Sequence, residues 1–501
     1  MEEKKAGTNR AKLYQLALFP FNNGATNIYF ILIMNYIAFH ANGVLGLTLM
    51  FATAMVTVMR IFDAVTDPII GVIIDKTNGR FGKFRPYILL GNFIMAVSAF
   101  LMFFATRWIP ESMMWGRYVS FVITYMLYVI GYTFQTACTR SAQTVITDDP
   151  KQRPMFTIFN TIATLVGMGV IQVVATLIGT RVGYGSERFF DLVIPLAVIL
   201  SFVLTILSLI GIWEKDRPEY FGVSGEKKEG VKISEYVDIL KNNKDLRMLM
   251  LAGGSAKLAF AVASNTSVAC MLYASMMNDY GGLYMPLYII SFVISTPFFV
   301  LSVRTAQKKG QRSALAFYTR IAFIFYVGVL GLLLLWNPEN PATMLTFRNL
   351  NLYTILFVLL YSLGFGAYYS TADMPVPMVA DCSDYETYRS GNYIPGIMGT
   401  LFSLVDKLVS SLGSTIVGAA VVAIGIDTLP DVNTPYVPGM KAVVIILFCV
   451  LPMISWLITQ YAMHKYSLTA ERMAHIQNVN AKRKEAISEG MSLKEAMETY
   501  Q

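Results

Sequence analysis

The feature that most constrains the fold of this chain is a series of long apolar runs. A helix needs about 20 apolar residues to cross the hydrocarbon core of a bilayer. Only 14% of the chain is charged, against about 25% in a typical soluble protein. The sequence therefore predicts an all-α integral membrane protein and argues against a disordered chain or a soluble enzyme. Twelve transmembrane helices are predicted along the 501 residues, at 17–40, 45–74, 85–106, 116–146, 155–182, 190–213, 246–276, 283–303, 315–336, 350–378, 394–425 and 438–463.

The basic residues indicate the orientation of these helices. The chain has 40 Lys and Arg against 32 Asp and Glu, a formal net charge of +8. Most of the basic residues fall in the two tails and in the loops on one side of the predicted helices, and loops of that kind stay in the cytoplasm. We therefore expect a multi-pass protein of the plasma (cytoplasmic) membrane with both termini cytoplasmic. Because topology accounts for the charge, no nucleic-acid partner is predicted.

The predicted helices divide into two sets of six, separated by the charged segment 214–245. The sets echo each other at a constant offset of 235 residues, as in Gly131 and Gly366 or Thr136 and Thr371. Two parallel six-helix repeats are typical of the major facilitator fold. The predicted parts are a cytoplasmic N-terminal tail (1–16), an N-terminal bundle (17–213), a cytoplasmic central loop (214–245), a C-terminal bundle (246–463) and a cytoplasmic C-terminal tail (464–501).

The C-terminal tail is polar, and we expect it to be helical and solvated. Ser492 and Glu495 have the spacing of a capping box, which predicts a short last helix that begins there. No residue in the tail points to a regulatory contact.

Ionisable groups inside a membrane span are costly and mark functional sites. The second span carries Arg60, Asp63 and Asp67 at spacings that place all three on one helical face. Two carboxylates one turn apart repel each other unless a cation or a proton lies between them. Thr66, and Thr133 on the fourth span, are candidate hydroxyl ligands for sodium, which prefers hard oxygen donors. The alternative is that Arg60 pairs with Asp63 and the pair only holds helices together.

Other charges fall inside later spans. Arg140 lies in the fourth span, Lys257 in the seventh, Asp373 in the tenth, and Asp406 and Lys407 in the eleventh. A lysine near two aspartates can compete with a bound cation, which would couple one site to another. For Lys257 a cavity-lining or snorkelling role is the alternative. Asp406 has the alternative of pairing with Lys407 or with a neighbouring helix.

The sequence predicts neither a cofactor nor catalysis. Four cysteines are scattered without paired spacing, and the chain has only three histidines. These features favour neither a disulfide framework nor a metal cluster. We therefore expect a protein that is not an enzyme.

Two stretches resemble the melibiose-permease family, the glycoside–pentoside–hexuronide:cation symporters of the major facilitator superfamily. The first is RIFDAVTDPIIGVIIDKTNGRFGKFRP, through the second span and the loop after it. The second is ADCSDYETYRSG followed by GTLFSLVDKLVSSLGSTIVG. YSLTAERMAHI, after the twelfth span, is also similar to the family. The resemblance covers essentially residues 15–485, and it implies a symporter with a major facilitator fold.

The resemblance also implies roles for particular residues. The acids of the family's cation site match Asp63 and Asp67, and its threonine on the fourth span matches Thr133. Thr66 stands where the permease has an asparagine. Arg60 matches an arginine of the family, and Lys407 matches the family's coupling lysine. The expected coupling ion is therefore sodium or a proton, with Asp63 and Asp67 as tentative sodium ligands.

The positions of the family's sugar site differ. Asn27 and Thr136 replace two aspartates, Arg140 replaces a tryptophan and Thr161 replaces an arginine. Two acids lost and one guanidinium gained would make the cavity more positive. The resemblance therefore implies an anionic or modified glycoside such as a hexuronide, with Arg140 binding its carboxylate in bidentate fashion. The alternative is that Arg140 pairs with Asp373. The candidate substrate-binding residues are Asn27, Thr136, Arg140, Gln143, Asp373 and Lys407.

The function implied is import of a sugar or glycoside together with sodium or a proton, by alternating access. The expected partners are the small-molecule glycoside, a monovalent cation and the lipid bilayer. Two alternatives stay open: a cation-coupled lysolipid transporter, and a membrane sensor that binds a sugar without moving it.

Overall fold

A computed structural model of the chain describes residues 10–77, 79, 81–147, 152–217, 240–372, 374–391 and 395–500. Within these ranges, twelve helical segments are long and apolar enough to cross a membrane. This finding confirms the predicted all-α membrane fold. In such helices every backbone group is paired within its own segment, which is what the bilayer interior requires.

The first six spans are formed by helices α1 to α6. Their bounds are α1 Phe21–Phe39, α2 Leu49–Lys76, α3 Arg85–Phe103, α4 Met114–Ser141, α5 Gln152–Val182 and α6 Glu187–Ile212. Shorter helical pieces are Leu13–Leu18, His40–Val44, Ala105–Trp108, Glu111–Met113 and Gln143–Ile146.

The later helices are α7 Lys244–Ala263, α8 Tyr280–Lys309, α9 Gln311–Leu335, α10 Leu352–Tyr369, α11 Pro375–Ser390, α12 Pro395–Ala423, α13 Leu451–Lys465, α14 Ala470–Ser488 and α15 Leu493–Thr499. The twelfth span begins before α13, with Met440–Val444 and Ile445–Val450. Further short pieces are Thr266–Ala269, Cys270–Met276 and Pro341–Thr343.

Two predicted spans are shorter than the apolar runs that suggested them. α7 ends at Ala263, and Asn265 then caps a new short helix by accepting a hydrogen bond from the Ser267 amide. α10 ends at Tyr369, and Pro375 stands in the first turn of the polar helix α11. Proline has no amide hydrogen to continue a helix, so it favours a new start at that point.

The structure divides into two compact units. The first comprises Met1–Lys227 and Val421–Asn433, and the second comprises Lys228–Ala420 and Thr434–Gln501. Asn42 holds the late segment Val421–Asn433 in the first unit through hydrogen bonds. Its amide nitrogen donates to the carbonyl of Asp427 at 3.2 Å, and its amide oxygen accepts from the Leu429 amide at 3.1 Å.

Helices of the first unit approach closely where glycines face each other. Gly91 on α3 and Gly131 on α4 are so near that a Cβ on either would lie 2.8 Å from the other's carbonyl oxygen. Small residues at such crossings let helices pack tightly in lipid, where no hydrophobic effect draws them together.

The loop before α3 is held by Asp216, which follows α6. The buried Asp216 carboxylate accepts hydrogen bonds from the backbone amides of Lys83, Phe84 and Arg85 at 2.8–2.9 Å. These amides begin α3, so a side chain about 130 residues away in sequence does the work of a local N-cap. Gly82 precedes them with φ +94°, and a Cβ there would collide with the same carboxylate.

The helix α14, in the C-terminal tail, packs on α11. This contact corrects the expectation of a solvated tail. The Asn480 side chain donates to the carbonyl of Asp384 at 2.9 Å, and Arg483 donates to that of Tyr388 at 2.7 Å. Met473 and Ile476 are buried in the adjacent apolar core. The last helix, α15, begins with the predicted capping box, which is confirmed because Ser492 and Glu495 bond each other's backbone amides.

Candidate functional site

The predicted cation residues Asp63, Thr66 and Thr133 lie together in the first unit. The Thr133 hydroxyl is 3.1 Å from Asp63 Oδ1 and 3.2 Å from the Thr66 hydroxyl. Thr66 and Asp63 are on α2, whereas Thr133 is on α4, so the cluster joins two helices. All three side chains are buried. Carboxylate and hydroxyl oxygens are the donors that hard cations prefer, so the residues present fit such an ion.

Arg60 is part of the same cluster. Its Nη1 is 3.2 Å from Asp63 Oδ2, so the ion pair foreseen as the alternative role of these residues is present. The guanidinium also lies over the ring of Phe30 at 4.8 Å and near that of Tyr132 at 5.9 Å. Aromatic faces stabilise a cation that has little access to water. Asp63 therefore contacts Arg60 with one oxygen and Thr133 with the other.

A cavity lies beside this cluster, and its space of about 280 Å³ is partly open to solvent. Arg60 and Asp63 form its charged wall, and Phe30, Tyr125, Tyr128 and Tyr132 contribute rings to its lining. Such a cavity, mostly apolar with a few convergent charged groups, is the usual form of a small-molecule site.

Asp67 is one turn beyond Asp63 on α2, and its side chain is partly exposed. In the second unit, Lys257 lies on α7 and Lys407 on α12, both partly buried. Thr136 donates back along α4, to the carbonyls of Tyr132 and Thr133. Arg140 lies on α4 and Gln143 in the short helix after it, but their side chains, like all of Asp373, lie outside the described residues. The predicted contacts of Arg140 therefore stay predictions.

Between α1 and α5 the structure joins the predicted Asn27 to further polar residues that the sequence did not single out. The Asn23 amide donates to the hydroxyl of Thr164 at 2.7 Å and to Asn160 at 3.3 Å. Asn27 donates to the side chain of Asn23 at 3.0 Å. These amides and hydroxyls can bind sugar hydroxyl groups, since each can donate and accept. The four-residue spacing of Asn23 and Asn27 was the available signal.

No group of three or more His, Cys, Asp or Glu side chains that could hold a metal ion occurs among the residues that the structure describes. The contacts described around Asp63 bring its carboxylate together with the hydroxyls of Thr66 and Thr133 and the guanidinium of Arg60.

Comparison with protein families gives one match over nearly the whole chain. The family described as "MFS/sugar transport protein" matches residues 21–470. The inner membrane symporter YicJ of Escherichia coli (strain K12) is 23% identical, over 91% of this chain and 92% of its own length. The isoprimeverose transporter of Lactiplantibacillus pentosus is 22% identical, over 80% and 78% of the two chains.

Solved structures show the same fold. A crystal structure of a mutant of the nucleoside transporter NupG aligns with a TM-score of 0.58, over 91% of this chain and all of that one. The identity of 12% is too low to indicate more than a shared architecture.

Proposed function

Because the chain belongs to the MFS/sugar transport protein family, it is a secondary transporter and not an enzyme, and we propose that it imports a sugar or glycoside together with sodium or a proton. The family match supports the sugar or glycoside class. The buried carboxylate and hydroxyls of the first unit support a cation as the coupling partner. We place the protein in the plasma membrane with both termini in the cytoplasm, as the basic loops predict.

The observation that carries the proposal is the contact of Asp63 with Thr133 across two helices. A cation bound by the Asp63 carboxylate and the hydroxyls of Thr66 and Thr133 would hold α2 against α4. The lining of the adjacent cavity includes residues from both helices, among them Met59 and Tyr125. Binding of the ion therefore orders the walls of the cavity that takes the second solute. This is how an ion gradient can drive uptake by alternating access.

Arg60 and Asp67 have separate roles in this mechanism. Arg60 offsets one negative charge while the cation is absent, since its guanidinium is 3.2 Å from Asp63. Asp67 supplies the second carboxylate one turn away, so a monovalent ion enters a site with more negative than positive charge. Lys407 is the proposed coupling residue of the second unit.

The test compares two aspartates that each form an ion pair in the first unit. Asp63→Asn should abolish accumulation of labelled glycosides in proteoliposomes driven by a sodium or proton gradient, because the neutral amide cannot balance a cation. Counterflow exchange should remain. Asp191→Asn is the control, since Asp191 pairs with Arg107 and its side chain is 49% exposed. Concentrative uptake at the normal rate by Asp63→Asn would refute the cation assignment.

We further propose an anionic glycoside, such as a hexuronide, as the substrate, with Arg140 binding its carboxylate. A panel of labelled acidic and neutral glycosides tests this step. Arg140→Gln should raise the half-saturating concentration of the acidic substrate and leave that of a neutral one unchanged. An unchanged value for the acidic substrate would contradict the proposal.

The same assays separate the two alternatives. A lysolipid transporter would require an acyl chain on the transported molecule, so glycosides without one would not accumulate. A sugar sensor would bind the ligand without counterflow.

A further inference from the structure

The second unit contains a cavity with a chemistry different from that of the first. It lies among α7, α9, α10 and the twelfth span, and its space of about 390 Å³ is partly open to solvent. We call it the aromatic pocket, because its lining includes the rings of Phe260, Tyr326, Tyr361, Phe365, Phe448 and Trp456. The lining residues carry no charge, in contrast to the pair of Arg60 and Asp63 that lines the first cavity.

The rings of the aromatic pocket are arranged as planar surfaces. Tyr361 stacks on Phe448 at 5.4 Å and on Phe365 at 5.8 Å, with interplanar angles near 20°. Tyr326 meets Trp456 edge to face at 4.8 Å. Offset stacking and edge-to-face contact are the geometries that aromatic rings prefer. A flat ring entering the pocket can therefore continue a set of favourable contacts that the protein has already fixed.

Trp456 supplies a second and independent observation. Its side chain is almost fully buried, with 2% exposed. Its indole N–H has no hydrogen-bond partner among the described residues. A buried donor without an acceptor destabilises the fold. Trp456 lines the pocket, so an oxygen on a bound molecule that reaches this N–H would supply the missing acceptor.

From these observations we propose that the aromatic pocket binds an uncharged planar aromatic group with an acceptor oxygen, such as the aglycone of an aryl glycoside. The lining has no charged partner for an ionised group. An acyl chain would leave the Trp456 N–H unpaired. A bare sugar ring could stack its C–H face on these rings, but the hydroxyl groups around its edge would need partners, and each unpaired one is penalised. The hydroxyl of Tyr368 already donates to the carbonyl of Ala256 at 2.9 Å.

This inference rests on the proposed function for its biological role, since it narrows the substrate from glycosides to aryl glycosides. The binding itself needs no ion gradient. The probe is therefore 4-nitrophenyl β-D-glucopyranoside, titrated calorimetrically into the purified full chain in lipid nanodiscs. Saturable binding of one molecule per chain is expected, and an excess of methyl β-D-glucopyranoside should not displace it.

Two tryptophans provide a matched pair of variants. Trp456→Phe should weaken binding about tenfold, which is the effect of losing one hydrogen bond. Trp336→Phe is the control, because Trp336 has the same 2% exposure and an unpartnered N–H in the described structure but does not line the pocket. If Trp456→Phe does not fold, Ala263→Leu replaces it, since a larger side chain at this lining position fills the cavity and should abolish binding.

Several results would overturn the inference: no saturable binding, equal affinity in the wild-type chain and Trp456→Phe, binding retained in Ala263→Leu, or displacement by the methyl glucoside. Binding of lysophosphatidylcholine in place of the aryl probe would assign the pocket to an acyl chain. Failure of ion-driven uptake, with aryl binding intact, would refute the proposed function and leave the pocket standing.

Discussion

At the scale of single residues, the cation site illustrates what a sequence can and cannot reveal. Asp63 and Thr66 are three residues apart on one helix, so their proximity follows from helical geometry. Thr133 is 70 residues away from Asp63. As a hydroxyl on the fourth span it was only a candidate ligand, and the family resemblance assigned it to the site, because no periodicity links α2 to α4. The stacking of Arg60 on Phe30 had no signal in the sequence, since it depends on how α1 packs against α2.

The hydroxyl of Thr133 offers a test at this scale. Thr133→Val keeps the shape of the side chain but removes a proposed ligand, and we expect the apparent affinity for the coupling ion to fall about 10- to 100-fold. Thr124→Val on the same helix is the control, because among the described residues the buried Thr124 hydroxyl donates only to carbonyls of its own helix, at Ser120 and Phe121. The measurement is the ion dependence of glycoside uptake. Equal losses in both variants would argue against a ligand role for Thr133.

At the scale of elements, the start of α3 depends on a distant side chain. Asp216 accepts from three backbone amides of this start and lies 3.3 Å from Arg85 Nε. The loop sequence shows basic residues and glycines, but it contains no sign that the capping carboxylate comes from beyond α6. Local signals predict caps only when the capping residue is a neighbour in sequence.

Asp216→Ala should therefore destabilise the first unit. We expect the free energy of unfolding to fall by about 2 kcal/mol, because buried amides lose their acceptor. Asp191→Ala removes an ion pair in which Asp191 is half-exposed and Arg107 is mostly buried, and it should lower the same quantity by only about 1 kcal/mol. Denaturant unfolding in detergent, followed by circular dichroism, measures both. Similar values for the two variants would show that the cap is dispensable.

The helix α11 carries a carboxyl group whose charge is unfavourable in the fold. Burial, and then the negative charge of Asp384, raise the pKa of Asp381 from 3.8 to about 6. The folded state therefore binds this proton more tightly than the unfolded state does, and stability falls as the pH rises from about 4 to about 6. Above that window the loss is complete.

Asp381→Asn removes this penalty. The melting temperature of the variant should exceed that of the wild-type chain at pH 7.5, and the difference should shrink at pH 4.5, where the wild-type carboxyl group is protonated. Thermal melts at the two pH values provide the measurement. A gain that is the same at both values would mean that the charge of Asp381 does not cause it.

At the scale of the whole molecule, hydropathy predicted the fold well because the bilayer permits so few spanning structures. All twelve predicted spans are present, although α7 and α10 end earlier than their apolar runs. The docking of α14 on α11 was missed, because a polar helix with a few apolar residues resembles a solvated one. The aromatic pocket was missed for a different reason. In a membrane helix rings are common on every face, so their spacing does not reveal which of them line a cavity.

Coupling between ion and substrate is a property of the whole transporter. If the two solutes bind to one state, each must raise the affinity for the other by the same factor. We expect saturating sodium to increase the affinity for glycoside by a certain factor. Saturating glycoside should increase the affinity for sodium by the same factor, as measured by calorimetry of the purified protein. Asp63→Asn should bring this factor to one. A factor of one in the wild-type chain would exclude thermodynamic coupling through binding.

The segment Val421–Asn433, which is part of the first unit, has a consequence for biosynthesis. The other residues of that unit end at Lys227, so nearly two hundred residues are synthesised between its main part and this last piece. Asp427 and Leu429 form hydrogen bonds with Asn42. They leave the ribosome long after the helices around Asn42 have entered the membrane. The unit that is translated first is therefore completed only after residues 228–420 of the second unit have been made, and a chain released before that point would leave it unfinished.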